Sequence, residues 1–367
     1  MRFNLSLVGA GRIAAAHAGA IEASGGAVGC VTVVDPVQHA REALADRLGA
    51  KPYASIQDLL ADADTSSQIQ GLVVCTPPSA RVGVVEQAIG AGWAVLLEKP
   101  IAHQSEDARK IVRLSESAKG AGVAVGACHR FTPAVQTMIE QVHAGRIGRW
   151  LRFENVFAAS IPGIESHWMS DPQVSGGGSL LDTGFHSLDL FQYLAGPCEL
   201  AGAVLSRAWP GRGDSNATVL LSSDGRGGVL ALPGDAAGPG HDVAGQIATG
   251  WAEPSRFEVR LIGSEGMLAY DFDDGDAVVW TSSAGATERL AVAPHDERFT
   301  RQLLAFAESA QQGRLDPRLC APAEALGIMH LVERAQGVPS PVSTPGAGPA
   351  QAPRAVGNPA VAAPVSA

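Results

Sequence analysis

Residues 7–21 read LVGAGRIAAAHAGAI, an apolar run that passes through a glycine-containing turn into a helical pattern. Gly9, Gly11 and Ala14 have the spacing G-x-G-x-x-[GA], which is the pattern of a dinucleotide-binding turn. The first glycine allows the tight turn, and the second lets a pyrophosphate approach the backbone. The small third residue keeps the helix close to the strand. This stretch therefore predicts a Rossmann-type βαβ unit.

The amides after this turn and an acid after the second strand complete the predicted cofactor site. The backbone of Arg12 and Ile13 would face the phosphates at the positive end of the helix. Asp35 ends the next strand, where a carboxylate accepts both ribose hydroxyls. Its alternative role is to cap the helix that follows. A carboxylate repels a 2′-phosphate, so the sequence favours NAD over NADP, although Arg41 could help to tolerate the phosphate.

Strand-like and helix-like patterns alternate through the first third of the chain. The apolar runs are 3–9, 28–35, 71–77, 93–100 and 123–129, and the helical patterns between them are 12–23, 37–48, 80–90 and 105–119. This alternation predicts a parallel sheet covered by helices. We expect a Rossmann dinucleotide-binding domain over residues 1–128.

Further along, strands follow one another with short connections, which favours an antiparallel sheet. The candidate strands are 149–158, 200–209, 217–223, 227–232, 256–263, 266–272, 277–282 and 288–293, and the candidate helices are 133–144, 179–194, 296–312 and 321–336. The predicted fold class is α/β: a Rossmann domain with a parallel sheet, then an α+β domain over residues 129–338 with an open, mostly antiparallel sheet. Residues 233–250 are rich in glycine and alanine and are predicted to be mobile. Residues 339–367 are predicted to be a flexible Pro/Ala-rich tail.

Composition limits the classes of partner. The chain has 367 residues, 46% hydrophobic and 17% charged, with a formal net charge of −10. This acidity argues against nucleic acid as a partner, and no apolar run has the length of a membrane span. The first strand begins by Phe3, which leaves no room for a signal peptide. Five widely spaced cysteines indicate buried thiols in a reducing cytoplasm, with no metal site.

Two segments end at the carboxyl edge of the predicted parallel sheet, where ligands bind in open α/β folds. The first, CTPPSAR (75–81), places Thr76 and Pro77 there, and the second, LLEKP (96–100), places Glu98 and Lys99 there. The Lys99 ammonium could reach both a substrate hydroxyl and a nicotinamide. Its alternative role is a surface lysine paired with Glu98. Pro100 restricts Lys99 to extended conformations and could be cis.

The helix predicted at 179–194 is apolar over most of its surface, yet Asp182, His186, Asp189 and Tyr193 form a stripe along one side. Each has an ordinary structural alternative: a helix-start carboxylate for Asp182, a buried imidazole bonded to a carbonyl for His186, and polar groups at a domain seam for the other two. Ionisable groups on a buried helix are costly unless they are paired or line a cleft. Together they predict a functional cleft.

These motifs resemble the Gfo/Idh/MocA family, the group of glucose–fructose oxidoreductase and inositol dehydrogenase. The resemblance runs in order to about residue 336 and excludes the tail. It rests on GAGRIAAAHA (9–18), VVD (33–35), CTPP (75–78), EKPIA (98–102), RFTP (130–133), GRIGRW (145–150), the segment 168–196 with GGG…D-x-G-x-H-x-x-D, and RFTRQLLAFAESAQQG (298–313).

The resemblance implies an NAD(P)-dependent oxidoreductase that acts on CH–OH groups. Lys99 matches the lysine of the EKP motif, while Asp182 and His186 match the D-x-x-x-H pair of the active-site helix. It implies that His186 is the general acid/base, that Lys99 holds the reacting oxygen, and that Asp182 bonds substrate or tunes the imidazole. It further implies a homodimer or homotetramer formed through the second sheet. The alternative is a non-catalytic regulator or scaffold that binds the dinucleotide.

The resemblance also implies a sugar or cyclitol substrate. Arg130, His167 and Trp168 are added to the candidate substrate contacts, with a core aromatic as the alternative for Trp168. The chain departs from the family at Pro78 and Arg81, where Asn and His are frequent. His129 is a further departure, for which two roles stay open: it contacts substrate, or it ends a strand.

Overall fold

The structure is a computed structural model that describes residues 2–118, 120, 122–231 and 242–338. Its first part is a six-stranded parallel sheet in the order β3-β2-β1-β4-β5-β6. The strands are β1 (Phe3–Val8), β2 (Val28–Val34), β3 (Lys51–Tyr53), β4 (Gly71–Val74), β5 (Ala94–Leu97) and β6 (Val123–Val125), and the helices are α1 (Arg12–Ala23), α2 (Gln38–Leu48), α3 (Ile56–Ala61), α4 (Ala63–Ser66), α5 (Arg81–Gly90) and α6 (Ser105–Ser117). The chain order reverses beside β1, so a ligand crevice lies at the carboxyl ends of β1 and β4. The predicted Rossmann domain is confirmed.

The strands of this sheet form because their residues are apolar on both faces, and helices cover both faces. Every residue of β4 is buried, as is nearly every residue of β1 and β2. The sequence analysis missed β3 because this edge strand has only three residues, one of them Pro52, and two of its three residues are exposed. Proline is tolerated there since an edge strand need not donate on both sides.

The second sheet has eight strands in the order β14-β13-β12-β11-β7-β10-β9-β8. Its elements and the helices that accompany them are α7 (Pro133–His143), β7 (Trp150–Ser160), α8 (Pro172–Ser175), α9 (Ser179–Ala195), β8 (Glu199–Ser206), β9 (Asn216–Ser223), β10 (Val243–Gly250), β11 (Ala252–Gly263), β12 (Gly266–Asp271), β13 (Ala277–Ser282), β14 (Thr287–Ala291), α10 (Glu297–Gln312) and α11 (Pro322–Gln336). Only the β7–β10 pair is parallel among these strands. The predicted mostly antiparallel sheet is confirmed.

Helix α9 is the central helix of the second half and lies on β7, β9 and β10. The last two helices return to the first half of the molecule, because α10 packs against α1 and α11 packs against α6. Phe306 of α10 meets Phe3 of β1 edge to face, with ring centroids 5.8 Å apart. The chain therefore crosses between the two sheets more than once, and the domain boundary near residue 128 stays a prediction.

Two predictions for the region after β9 are wrong. Residues 227–231 form a turn rather than a strand, and the amides of Val229 and Leu230 bond to carbonyls at the end of α9. Residues 243–250 were predicted to be mobile but form β10, in the middle of the sheet. Its glycines serve packing: a Cβ on Gly245 would lie 3.1 Å from the Phe191 ring. Residues 233–241 of the predicted mobile segment and the predicted flexible tail at 339–367 lie outside the described ranges.

Within the described ranges, no helix combines the length and the apolar character needed to cross a membrane. All five cysteines are unpaired, and Cys30, Cys128 and Cys320 are buried.

Candidate active site

The glycine-containing turn lies between β1 and α1 and is shaped for a phosphate group. Gly9 has a φ of +96°, and a Cβ there would lie 2.9 Å from the carbonyl carbon of Cys75, so the position requires glycine. A Cβ on Gly11 would meet nothing within 4 Å, which leaves its outer side open. Arg12 and Ile13 begin α1, and no side chain caps the first amides of that helix. The open amides and the positive helix end suit a pyrophosphate.

The Asp35 carboxylate bonds to two backbone amides, and its contact with the ribose hydroxyls stays a prediction. The carboxylate accepts hydrogen bonds from the amide of Ala10, at 2.7 Å, and from that of Val37, at 2.8 Å. The same side chain therefore joins the glycine turn to the start of α2 and remains only half buried. Arg41 donates to the backbone carbonyl oxygens of Asp35, at 3.3 Å, and Pro36, at 3.1 Å.

Replacing Asp35 by serine is expected to raise the ratio of kcat/KM with NADP to kcat/KM with NAD by about 10- to 100-fold. This ratio corresponds to about 1.4–2.7 kcal/mol. The change removes a negative charge next to the position of the 2′-phosphate and leaves Arg41 to bind it. Steady-state kinetics with both cofactors measure the ratio. Asp46→Ser, on the exposed side of α2, is the matched control, and an equal change in both variants would contradict the prediction.

Thr76 and Pro77 follow β4 at the same edge. The Thr76 hydroxyl oxygen is buried and has no hydrogen-bond partner among the described residues, which is typical of a group that meets a ligand. The buried guanidinium of Arg81 donates to the carbonyl of Thr76 at 3.0 Å, and also to those of Glu98 and Pro100. Burial lowers the pKa of Arg81 to about 10, so it stays charged at neutral pH. Arg81, one of the positions at which the chain departs from the family, therefore forms hydrogen bonds with both the CTPP and the EKP segments.

Glu98 and Lys99 have different partners. Glu98 is buried and its carboxylate lies 2.8 Å from Nε2 of His17 on α1. Burial raises the pKa of Glu98, but the hydrogen bond from His17 and the charges of Lys99 and Arg81 outweigh it and lower the pKa below its ordinary value. The alternative in which Lys99 is a surface lysine paired with Glu98 is wrong. The Lys99–Pro100 peptide is cis.

Lys99 instead forms an ion pair with Asp182 of α9, with 2.6 Å between Nζ and Oδ1. Its ammonium also donates to the Asp182 carbonyl at 3.1 Å, and Trp251 donates its indole N–H to the other carboxylate oxygen at 3.2 Å. The two charged side chains are 16% and 20% exposed. They thus face a cleft, whose wall also includes Pro78, Trp168 and Met169.

The carboxylate that starts α9 belongs to Asp214, not to Asp182. Its Oδ2 accepts from the Ser179 hydroxyl and the Leu180 amide, each at 2.8 Å. The preceding glycines are packed rather than free, because a Cβ on Gly178 would lie 2.2 Å from the Asp214 amide. Asp182 does lie in the first turn of α9, as its structural alternative states, but its carboxylate bonds to Lys99 and Trp251 rather than to the helix start.

His186 lies one turn further along α9 and is 7% exposed. Its Nδ1 is buried without a hydrogen-bond partner among the described residues, so the alternative of an imidazole bonded to a carbonyl does not hold. The ring stacks on that of His129, with centroids 4.1 Å apart and planes at 11°. Burial above all, and then the charges of His129, Lys99 and Arg298, lower the pKa of His186 well below its ordinary value. At neutral pH it is an uncharged base.

Burial and the charges of Arg298, Lys99 and His295 also hold the pKa of His129 well below its ordinary value. Since unfolding restores both imidazoles to a pKa near 6.5, the unfolded chain binds more protons below that pH. The free energy of unfolding should therefore fall as the pH drops below about 6.5, and His129→Phe should reduce that slope by about 1.4 kcal/mol per pH unit. Urea unfolding between pH 5.5 and 7.5 measures it.

His39→Phe, on the exposed surface of α2, is the control for this prediction and should keep the wild-type slope. Equal slopes for wild type and His129→Phe would contradict the neutral, buried state assigned to His129.

Cys128, His129 and His186 bring one ligand-type atom each to within 4.8 Å of one another. The sequence predicts no metal site, and the stacking of the rings argues the same way. An imidazole binds a metal ion in the plane of its ring, and two parallel stacked planes do not share such a position. We therefore read the cluster as a pair of neutral imidazoles rather than a metal centre.

The other half of the stripe is structural. Arg130 is fully buried, and its guanidinium bonds to both carboxylate oxygens of Asp189 at 2.6–3.1 Å and to Glu324 at 3.2 Å. It also lies over the Tyr193 ring, 4.7 Å from the centroid. All its donors point into this network, which argues against the predicted substrate contact from Arg130. Asp189 and Tyr193 of α9 both contact Arg130, which lies in the turn before α7. This agrees with their structural alternative as polar groups at a seam.

Of the two loop residues predicted to contact substrate, one lies in the cleft wall. Trp168 is 41% exposed and lies beside Lys99 and Asp182, so it is not a core aromatic. His167 is also exposed, but its Nδ1 accepts the amide of Met169 at 3.3 Å, and it is absent from the wall of that cleft. A substrate contact is therefore supported for Trp168 and not for His167.

The sequence analysis missed Trp251 and Asp214 as members of the site. Neither belongs to a recognisable motif, and both reach α9 from strands and loops far along the chain. No pattern in the sequence points to Asp214, because its close approach to Gly178 is visible only in the structure.

Comparison with known proteins agrees with this arrangement. The family model for the oxidoreductase family with an NAD-binding Rossmann fold matches residues 3–127, and that for the GFO/IDH/MocA C-terminal domain matches residues 135–269. The chain is 30% identical over 251 residues to the rhizopine catabolism protein MocA of Rhizobium meliloti, covering 64% of this chain and 74% of that protein.

It is also 28% identical over 242 residues to an inositol 2-dehydrogenase of Rhizobium meliloti strain 1021, covering 63% of this chain and 68% of that protein. A levoglucosan dehydrogenase in complex with NADH and levoglucosan has the same fold, with a TM-score of 0.77 at 18% identity over 92% of this chain and 98% of that one. The chain therefore belongs to the GFO/IDH/MocA family and is an NAD(P)-dependent oxidoreductase.

Proposed function

We propose that the protein transfers a hydride between a nicotinamide cofactor and a secondary hydroxyl or ketone of a sugar or cyclitol, with His186 as the general acid/base. The observation that carries the proposal is the neutral, buried His186. It lies on the same helix as Asp182, which forms the ion pair with Lys99. Lys99 stands where β5 ends, at the edge of the sheet that receives the cofactor. Lys99 and Asp182 line the cleft, and His186 lies one helical turn after Asp182 on α9.

The chemistry follows from these groups. In the oxidation direction the neutral imidazole of His186 takes the proton of the substrate hydroxyl, while the carbon loses its hydrogen with both electrons. The bound nicotinamide supplies the hydride acceptor, so an alcohol and NAD give a ketone and NADH. The Lys99 ammonium stabilises the negative charge that develops on the substrate oxygen. Asp182 fixes the ammonium in place through its 2.6 Å contact.

Two observations support the substrate class. The relatives are named for inositol and levoglucosan, which are polyhydroxylated rings. The exposed face of Trp168 in the cleft wall is suited to the apolar face of such a ring. Asp35 beside the glycine turn supports NAD as the preferred cofactor.

The test is the reduction of NAD and of NADP by the full chain with inositols, sugars and sugar acids, followed by identification of the ketone product. Product formation with a cyclitol or sugar is the expected result. Tight NADH binding without turnover of any member would instead favour the alternative of a dinucleotide-binding regulator of the same fold. Turnover of a different class of alcohol would overturn the substrate assignment.

We also propose a homodimer or homotetramer that forms through the outer face of the eight-stranded sheet. Val204 on β8 and Leu220 on β9 are each 50% exposed, and neighbouring apolar side chains on an open sheet suit a protein interface. Sedimentation velocity measures the oligomeric state, and a monomer at micromolar concentration would contradict the proposal. A cytoplasmic location stays a prediction from the unpaired cysteines.

A further inference from the structure

Trp251 lies behind the cleft and has no role in the mechanism above. It follows β10 directly, and its side chain is 2% exposed. Its indole N–H donates to Oδ2 of Asp182 at 3.2 Å, while Oδ1 of the same carboxylate contacts the Lys99 ammonium at 2.6 Å. One carboxylate oxygen is therefore engaged by the cation and the other by the indole. Because Trp251 is not part of the cleft wall, it reaches the site through Asp182.

The backbone of Trp251 is held from two sides. Its amide donates to the Ser215 carbonyl at 2.8 Å, and its carbonyl accepts from the Ile161 amide at 3.3 Å. Ser215 follows Asp214, whose carboxylate binds the start of α9, and Ile161 begins the loop that carries Trp168 to the cleft wall. The position of the indole is thus set by the same segments that shape the cleft.

The end of β10 packs closely on the first turn of α9. The Thr249 hydroxyl is hydrogen-bonded to that of Thr183, the residue after Asp182. At the next position, a Cβ on Gly250 would lie 2.2 Å from the side-chain nitrogen of Asn216. The strand therefore has no room to shift, and the indole N–H points at the carboxylate before any substrate binds.

This second contact matters because a carboxylate bonded through one oxygen alone can rotate about its Cβ–Cγ bond. An ammonium paired with it would move as well. Hydrogen bonds to a charged acceptor are stronger than those between neutral groups, so the indole favours one orientation of the pair. Groups that act on a reacting atom must be held to within about 0.5 Å of the productive geometry.

We propose that Trp251 is a positioning residue for the hydride transfer: by holding the Asp182 carboxylate, it sets the orientation of the Lys99 ammonium toward the reacting oxygen. The inference rests on the proposed function, from which Lys99 takes its role. It assigns to the Asp182 carboxylate the task of joining the buried indole to the ammonium in the cleft.

The first measurement is kcat for Trp251→Phe, which keeps an apolar ring and removes the N–H. We expect kcat to fall by about 10-fold, the usual contribution of a hydrogen bond to a charged group. The dissociation constant for NADH should stay within about 2-fold of wild type, because Asp35 and the glycine turn are unchanged.

A second background separates positioning from a general effect on packing. In Asp182→Ala the indole has no carboxylate to hold, so adding Trp251→Phe should change kcat by less than about 2-fold. Equal losses of kcat in the wild-type and Asp182→Ala backgrounds would overturn the proposal.

The reactivity of Lys99 gives a readout that needs no turnover. The chain has four lysines, Lys51, Lys99, Lys110 and Lys119, so competitive acetylation followed by mass spectrometry yields the rate at Lys99 relative to that at Lys110. Trp251→Phe should raise this relative rate by about 3-fold, because the ion pair loses its fixed orientation. Asp182→Ala should also raise it, and the double variant should show no further increase. An unchanged rate in Trp251→Phe would overturn the proposal.

Trp150→Phe is the matched control. Trp150 is 5% exposed, donates its indole N–H to the Arg152 carbonyl at 3.0 Å, and packs against Phe191 of α9 with 6.4 Å between ring centroids. It should keep the wild-type kcat and the wild-type Lys99 acetylation. Thermal unfolding of each variant measures folding, and benzothienylalanine at position 251, which has the shape of tryptophan without its N–H, is the second variant if Trp251→Phe is unstable.

The two readouts separate this inference from the function on which it rests. Faster Lys99 acetylation in Trp251→Phe, without turnover of any alcohol, would support the link from Trp251 to Lys99 while the proposed dehydrogenase function fails. Turnover with unchanged Lys99 acetylation in Trp251→Phe would support the function and overturn the inference.

Discussion

Replacing His186 by glutamine is expected to lower kcat/KM for nicotinamide reduction by about 10²- to 10⁴-fold, the usual contribution of a positioned general base. Glutamine is polar and similar in length, but it does not take a proton from a hydroxyl near neutral pH. The dissociation constant for NADH should stay unchanged because the glycine turn and Asp35 lie on other elements. Steady-state kinetics and fluorescence titration with NADH measure the two effects.

His143→Gln is the matched control for this variant. His143 is an exposed residue at the end of α7, where its ring bonds to the Val229 carbonyl at 2.8 Å. Wild-type kcat/KM in His143→Gln and a strong loss in His186→Gln would support the assignment. Unchanged kcat/KM in His186→Gln, with the same pH profile as wild type, would remove His186 from the mechanism.

Replacing Arg130 by methionine is expected to destabilise the fold by about 3–5 kcal/mol, because it leaves the carboxylate of Asp189 buried without its cation. Both side chains of this pair are completely buried. The double variant Arg130→Met/Asp189→Leu should recover most of the loss, since it removes the isolated charge and keeps the apolar volume. Urea unfolding with a shared m-value measures both variants.

Glu324 also contacts Arg130 but is 37% exposed, so water can solvate it once the arginine is gone. Arg47→Met serves as the control: it breaks a bidentate pair with Glu22 at the surface and should have a much smaller effect. A single variant at Arg130 that is as stable as wild type would show that the network does not hold α9 in place.

The elements that sequence analysis predicted well are those in which a periodic pattern and a specific turn agree. The glycine turn before α1 is an example, since its φ of +96° at Gly9 and the contact with Cys75 are consequences of the motif itself. Helix α9 was predicted within one residue at its end for the same reason. By contrast, β10 was taken for a mobile segment because small residues are common both in loops and in strands that pack closely against a helix.

The site was predictable only in part. The family motif indicated Lys99, Asp182 and His186, and the geometry places the first two in contact. The polar stripe on α9 has two sets of partners, however: Asp182 pairs with Lys99, and Asp189 pairs with Arg130. The sequence pattern does not show which acid pairs with which cation. Arg130 was a candidate substrate contact, whereas its partners in the structure are acids on α9 and α11. Such pairings depend on long-range packing.

The return of α10 to α1 sets a limit on how this protein can be divided or recombined. A fragment cut after the sixth strand would contain every strand of the first sheet, yet Phe3 of β1 would lose its contact with Phe306 and α1 would lose the cover of α10. Exchange of the second half for that of a distant relative would carry the same penalty, because the replacement must also fit the outer side of α1. The two halves are therefore constrained to change together, and chimeras of this chain should exchange α10 along with the first sheet.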